Sequence, residues 1–201
     1  MPVLLRLSRL IDKLNEWLGL AVMWLVLAAV LISATNAIVR KTFSASSNAW
    51  LEIQWYLFAA VFMLGVGYVF LRNGHVRIDV ISSHLSRRTN AVIDILGILL
   101  FVVPLSLFMI DLSWPLFTGA LQSGERSQNA GGLIRWPVLM LIPAGFAVLL
   151  LQAVSELIKR IAFLTGHRSA PTSAESDRTA EEALAHEMAS QATEQGTGGR
   201  P

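Results

Sequence analysis

Four long stretches without a charged side chain constrain what this chain can fold into. They cover residues 17–39, 53–71, 95–110 and 136–155. A helix that crosses the hydrocarbon of a bilayer needs about 20 predominantly apolar residues, with about 17 as a lower limit. The third stretch is short, so we expect its flanking acids to lie at the membrane surface. The sequence therefore predicts an all-α integral membrane protein, with four transmembrane helices inside a membrane domain over 17–165. The predicted spans are 17–39, 51–71, 91–112 and 137–157.

The segment before the first span, "LLRLSRLIDKLNEWL", has apolar residues at helical spacing and charged residues on the other face. A helix of this kind lies in the plane of the membrane surface. We therefore expect an interfacial amphipathic helix over residues 1–16. A cleaved signal peptide is the alternative, but its apolar core usually has only 7–15 residues. The longer run here favours a retained first helix.

The distribution of Lys and Arg predicts the orientation. The ends and the segment between spans two and three carry ten such residues: Arg6, Arg9, Lys13, Arg72, Arg77, Arg87, Arg88, Lys159, Arg160 and Arg168. The other side has four: Arg40, Lys41, Arg126 and Arg135. Positively charged loops stay in the cytoplasm. We therefore expect both termini in the cytoplasm and the first and third loops outside.

The last segment, residues 166–201, has a different composition. From His167 onward it contains one Leu, one Met and no Val, Ile or aromatic residue. Such a segment cannot bury enough apolar surface to offset the loss of chain entropy on folding. The sequence therefore predicts a disordered cytoplasmic tail.

The side chains needed for common kinds of site are missing from the predicted spans. The chain has no cysteine, and its four histidines fall outside the spans. Glu52, Asp94, Asp111 and Glu156 are all expected at span ends, and polar residues such as Gln152 and Ser155 are expected to bond neighbouring helices. We therefore expect no enzyme activity and no catalytic, cofactor, metal or substrate site in this chain. The net charge of +2 gives no reason to expect nucleic acid as a partner.

Two stretches carry a resemblance to a known family. The stretch "WLEIQWYLFAAVFMLGVGYVFLRNGHVRIDV" resembles the signature region of the small membrane subunit (DctQ type) of tripartite ATP-independent periplasmic (TRAP) transporters. The matching positions are Glu52, Leu64, Gly65, Arg72, His75 and Asp79. The stretch from "SGERSQNAGG" to "SELIKRI" is similar to the branch associated with mannitol/chloroaromatic-type and 2-oxo acid systems.

The resemblance implies a three-part importer in the bacterial inner membrane. A periplasmic protein would bind the substrate, an organic acid. The resemblance to the branch named above implies a 2-oxo acid. A large many-spanning subunit would carry the substrate and sodium sites, so that no cofactor is expected in this chain. The small subunit would pack beside the large subunit in the bilayer.

Nine residues follow as candidate contacts with these partners. We expect one group to fix the subunit at the membrane surface and against the large subunit: Glu52, Arg72, His75, Arg77 and Asp79. We expect the third loop to touch the binding protein through Glu125, Arg126 and Arg135, with Trp136 at the membrane interface. A self-sufficient homo-oligomeric transporter or channel is the main alternative, and a structural or signalling protein with four spans is another.

Overall fold

The computed structural model describes residues 2–43, 48–72, 85–129 and 131–167, together with Met188. Four helices in these parts are long and apolar enough to cross a membrane. They are α1 (Pro2–Phe43), α2 (Asn48–Leu71), α3 (Arg87–Ser123) and α4 (Trp136–Leu164). Apart from an isolated bridge between Arg126 and Ile134, the regular structure of the described residues is helical. The prediction of an all-α chain with four long apolar helices is therefore confirmed.

Helix α1 differs from its prediction because it runs without a break through the expected boundary at residue 16. Its 42 residues extend about 63 Å at 1.5 Å per residue. The segment has no proline after Pro2, and its polar side packs on other helices, burying Ser8 and Asn15. The large apolar residues Leu4, Leu7 and Leu10 are exposed. A separate N-terminal amphipathic helix is not confirmed, because the amphipathic segment is the first part of α1.

Helix α4 is the centre of the bundle, since it packs against α1, α2 and α3. Glycines allow the close approach between α2 and α4. A Cβ atom built on Gly145 would lie 2.7 Å from the backbone oxygen of Met63 and 2.8 Å from its Cβ. Gly65 and Gly67 are buried in the same region. A Cβ atom built on Gly67 would lie 2.6 Å from a methyl carbon of Val148, so this glycine also permits the close approach of α2 to α4.

Helix α3 is the longest span after α1 and is not uniformly α-helical. Two α-helical parts, Arg87–Gly97 and Val103–Ser123, are joined by a π-helical turn over Ile98–Val102. Ser86 caps the start, because its hydroxyl accepts a hydrogen bond from the Thr89 N–H at 3.1 Å. Gly124 ends the helix with a left-handed φ of 63°. The helix thus continues well past the predicted boundary at residue 112.

Three of the predicted contact residues, His75, Arg77 and Asp79, lie outside the described residues, as does the tail from residue 168 apart from Met188. The predictions made for them therefore stay predictions. The same holds for the disorder expected of the tail.

The packing at Gly145 generates a stability prediction. We expect Gly145→Ala to lower the free energy of unfolding by about 1–3 kcal/mol, because the new methyl group would overlap the backbone of Met63. The matched control is Gly119→Ala, where a Cβ would meet nothing within 4 Å. Because Ala favours helix more than Gly does, the control should be neutral or slightly stabilising. Thermal unfolding of the purified chain in detergent measures both, and equal midpoints would contradict the packing argument.

Candidate functional site

The third loop, residues 124–135, forms a folded hairpin between α3 and α4. Arg126 and Ile134 form a backbone bridge. The N–H of Ser127 donates to the carbonyl of Leu133 at 2.9 Å, and the N–H of Arg135 donates to the carbonyl of Glu125 at 3.0 Å. Gly131 has a φ of 75°, which glycine adopts without steric cost. The described part of the loop therefore has a defined backbone conformation of its own.

Glu52 holds this loop against the first turns of α2. One carboxylate oxygen accepts from the Asn129 side chain at 2.8 Å and from the Ser127 hydroxyl. The other oxygen accepts from the Leu133 N–H at 2.7 Å. One turn further along α2, the Tyr56 hydroxyl donates to the Ile134 carbonyl at 3.0 Å. Hydrogen bonds to a carboxylate are stronger than those between neutral groups, so Glu52 is the main anchor of the loop.

The remaining predicted residues of the loop lie around this anchor. Arg135 forms an ion pair with Glu125, and their side chains are 43% and 44% exposed. An ion pair this exposed contributes little to stability. Arg126 is exposed and Trp136 is the half-buried first residue of α4. A cavity of about 470 Å³ opens beside the loop, between Glu52, Trp55 and Arg135. The structure thus brings five predicted residues together at one end of the bundle.

Arg72 lies at the other end of the bundle. Its guanidinium is 3.5 Å from the Glu16 carboxylate of α1 and 5.7 Å from the centre of the Tyr68 ring. Glu52 and Arg72 are 20 residues apart on one helix, which corresponds to about 30 Å. The predicted contact residues of α2 therefore belong to two separate surfaces.

A second group of charged and polar residues lies at this end of the bundle. Their proximity was not predicted from the sequence. We call this group the inner cluster: Asp12 of α1, Asp94 of α3, and Gln152, Ser155, Glu156, Lys159 and Arg160 of α4. Lys159 is 2% exposed, and its ammonium group lies 3.2 Å from both Asp12 oxygens and also pairs with Glu156. Arg160 pairs with Glu156 and, at 3.2 Å, with Asp94. The cluster therefore joins three helices through ion pairs.

Neutral side chains continue the inner cluster along α1. The hydroxyls of Ser8 and Ser155 are 2.8 Å apart. The Asn15 amide donates to the Gln152 side-chain oxygen at 2.9 Å, and Gln152 in turn donates to Asp12 at 3.0 Å. The expectation that Gln152 and Ser155 bond neighbouring helices is confirmed.

The sequence held part of the signal for this cluster. Ser8, Asp12 and Asn15 are spaced by four and three residues, as are Gln152, Glu156 and Lys159, so each set shares one helix face. From the sequence alone, Lys159 and Arg160 indicate only the orientation, and Glu156 is expected at a span end. Which faces meet depends on tertiary packing, which the spacing does not reveal.

The chemistry of both regions is that of structural ion pairs. The charged side chains of the inner cluster are all held in ion pairs with one another, and the Glu52 carboxylate accepts from three donors of the loop. Among the residues that the structure describes, no group of three or more His, Cys, Asp or Glu side chains could hold a metal ion.

The inner cluster gives a prediction about stability. Lys159→Met would leave the carboxylates of Asp12 and Glu156 buried or half-buried without their shared cation. We expect the free energy of unfolding to fall by about 3–5 kcal/mol, as when one partner of a buried ion pair is removed. Lys13→Met is the matched control, because Lys13 is exposed on α1 and should tolerate the change. Thermal unfolding in detergent compares the two variants, and similar midpoints would mean that the buried pairs do not stabilise the bundle.

Comparison with known proteins adds the family. None of the curated proteins matches the chain. The family model for tripartite ATP-independent periplasmic transporters, DctQ component, matches residues 29–163. The match covers about two thirds of the chain, including α2, α3 and the third loop, and it leaves out the part of α1 that contributes to the inner cluster. The family is a transporter component and not an enzyme family. The chain therefore belongs to the DctQ family, the small permease component of TRAP transporters.

Proposed function

We propose that this chain is a rigid scaffold for the large membrane subunit of its transporter. In this proposal, the complex takes up a small organic acid delivered by a periplasmic binding protein and coupled to sodium. The substrate and sodium sites belong to the large subunit, and 2-oxo acids are the first substrate class to test. Membership of the DctQ family supports the three-part assembly.

The observation that carries the scaffold role is how the bundle uses its buried polar groups. Lys159, Glu156 and Arg160 are held in ion pairs, and Asn15, Gln152 and Ser155 in hydrogen bonds between α1 and α4. Side chains engaged in this way fix two helices relative to each other. A substrate path would instead need polar groups that are free to bind and release cargo. These contacts therefore support a packing role.

The orientation in the inner membrane is part of the proposal. The excess of Lys and Arg supports cytoplasmic termini. The inner cluster and Arg72 would then face the cytoplasmic side, and the third loop would face the periplasm. Exposed large apolar side chains, such as Trp24, Phe62 and Phe101, would contact lipid or the large subunit.

The third loop is the proposed contact with the binding protein. Glu52 and Tyr56 hold its backbone, and Glu125 pairs with Arg135. Arg126 is exposed beside this framework, where it can meet an acidic group of a partner. Arg72, at the opposite end, is a proposed contact with the membrane surface and the large subunit, as are His75, Arg77 and Asp79, which follow it in the sequence.

Purification from native membranes tests the scaffold proposal. The chain, tagged at its amino terminus and extracted in mild detergent, should bring down one many-spanning membrane protein in stoichiometric amount. Proteoliposomes with both proteins should take up labelled pyruvate only when the binding protein and a sodium gradient are present. A homo-oligomer of the chain alone would contradict the proposal and favour a self-sufficient transporter. Uptake of a different organic acid would correct only the substrate class.

Charge reversal tests the role of the third loop. We expect Arg126→Glu to weaken binding of the purified binding protein to the membrane complex by about tenfold, because an exposed attractive charge becomes repulsive. The complex itself should assemble normally. Arg40→Glu is the matched control, since Arg40 is exposed at the outer end of α1 on the same predicted side. Unchanged binding by the Arg126 variant, or an equal loss in the control, would count against a docking role for the loop.

A further inference from the structure

Asp111 is the one ionisable residue in a long apolar part of α3. Between Asp94 and Glu125, residues 95–124 contain no other charged side chain. Asp111 was predicted to lie at the end of a span, but α3 continues to Ser123. The 12 residues from Leu112 to Ser123 rise about 18 Å. Asp111 therefore lies well inside the apolar length of the helix.

The outer ends of α2, α3 and α4 are joined by the third loop, and these contacts define how far along the bundle Asp111 lies. Glu52 and Tyr56, in the first turns of α2, bind the loop that leads from the end of α3 to the start of α4. At the opposite end, Asp94 of α3 is tied to Arg160 of α4. Asp111 lies between these two ties, 17 residues from Asp94 and 14 from Glu125. Asp111 is therefore at membrane depth, away from both ends of the bundle.

Asp111 has acceptor groups without donors. Its side chain is exposed and has no hydrogen bond or ion pair with any residue that the structure describes. Its backbone carbonyl also lacks the usual helical donor, because residue 115 is a proline and has no N–H. The carboxylate thus has no donor among the described residues, and the carbonyl at the same position lacks its i+4 donor.

The surroundings of Asp111 on the exposed side of α3 are apolar. Leu107, Phe108 and Trp114 are its neighbours at helical spacing, and they are 53%, 63% and 55% exposed. Ser106 and Ser113, on the side that packs against α4, are buried. A charge in the apolar part of a membrane helix is costly against lipid, and such residues nearly always face protein or water. We therefore expect this face of α3 to contact protein or water instead of lipid acyl chains.

We propose that Asp111 and the apolar residues around it form a docking site for a membrane helix of the large subunit that carries an Arg or Lys side chain. This inference rests on the proposed scaffold function and names the surface that performs it. A guanidinium or ammonium group has several N–H donors, so it can bond the carboxylate and also the carbonyl that lacks its i+4 donor. The bulky neighbours Phe108 and Trp114 would exclude lipid and water from the pair, as residues around interface hot spots do.

The negative charge of Asp111 argues against a second copy of this chain or a lipid headgroup at this site. In a symmetric dimer of this chain, the same patch of both copies would meet, so two Asp111 carboxylates would repel each other. A lipid phosphate carries the same sign of charge as Asp111, and headgroups lie near the helix ends. A cationic side chain on a partner helix reaches this depth and complements the charge.

Replacement of Asp111 by leucine tests the docking site. Asp111→Leu makes the surface more apolar, so the chain alone should insert and unfold thermally at least as well as the wild type. We nevertheless expect the copurified large subunit to fall by about tenfold, equivalent to about 1.4 kcal/mol. Asp111→Glu keeps the charge and is the matched control, with copurification close to wild type. Full recovery of the large subunit with Asp111→Leu would overturn the inference. If wild-type chain brings down no large subunit, the proposed function itself fails, which is a different outcome.

Crosslinking identifies what covers the site. A photo-crosslinking amino acid in place of Phe108, activated in native membranes, should give an adduct with the large subunit. Mass spectrometry of the adduct should locate it on a membrane helix near an Arg or Lys. A dimer of this chain, or an adduct with lipid alone, would overturn the inference.

Discussion

The buried ammonium group of Lys159 is the interaction on which the arrangement of the bundle depends. A charge removed from water has to be paired, and the carboxylates that pair with Lys159 come from α1 and α4. Arg160 extends the same network to Asp94 of α3. Sliding or rotating one of these helices would separate these paired charges. The network therefore selects one register of three helices, a specificity that apolar contacts alone would provide weakly.

The helices are held together by different contacts at the two ends of the bundle. At one end, side chains from three helices meet directly in the inner cluster. At the other end, the helices are joined through the third loop, whose backbone is bound by Glu52 and Tyr56 of α2. The apolar length between them is held by close contacts such as Gly145 against Met63. The chain is thus fixed at both ends and closely packed in its middle.

The number and approximate position of the spans could be predicted because they depend on local composition, and the family could be predicted from the residues around Glu52 and Arg72. What the sequence did not reveal depends on which helix faces meet. From the sequence, Asp12 is a surface charge of an amphipathic segment, whereas the structure pairs it with Lys159 of α4. The sequence predicted Glu52 as a contact for a partner, which stays a prediction, but it did not reveal that the carboxylate binds the chain's own loop. Asp111 reads as the end of a span because apolar composition alone cannot show that α3 continues past Trp114.

The π-helical turn of α3 determines which side of the following part of the helix faces α4. The buried positions Ala91 and Ile98 are seven residues apart, and so are Ser106, Ser113 and Ala120, but Ile98 and Ser106 are separated by eight. The turn over Ile98–Val102 takes up the additional residue, so both halves present one continuous side to α4. One residue advances an α-helix by about 100°. Without that wider turn, the outer half of α3 would be rotated by roughly this angle, and a different strip of the helix would face outward. The extra residue in this five-residue turn thus determines the direction in which the surface around Asp111 faces.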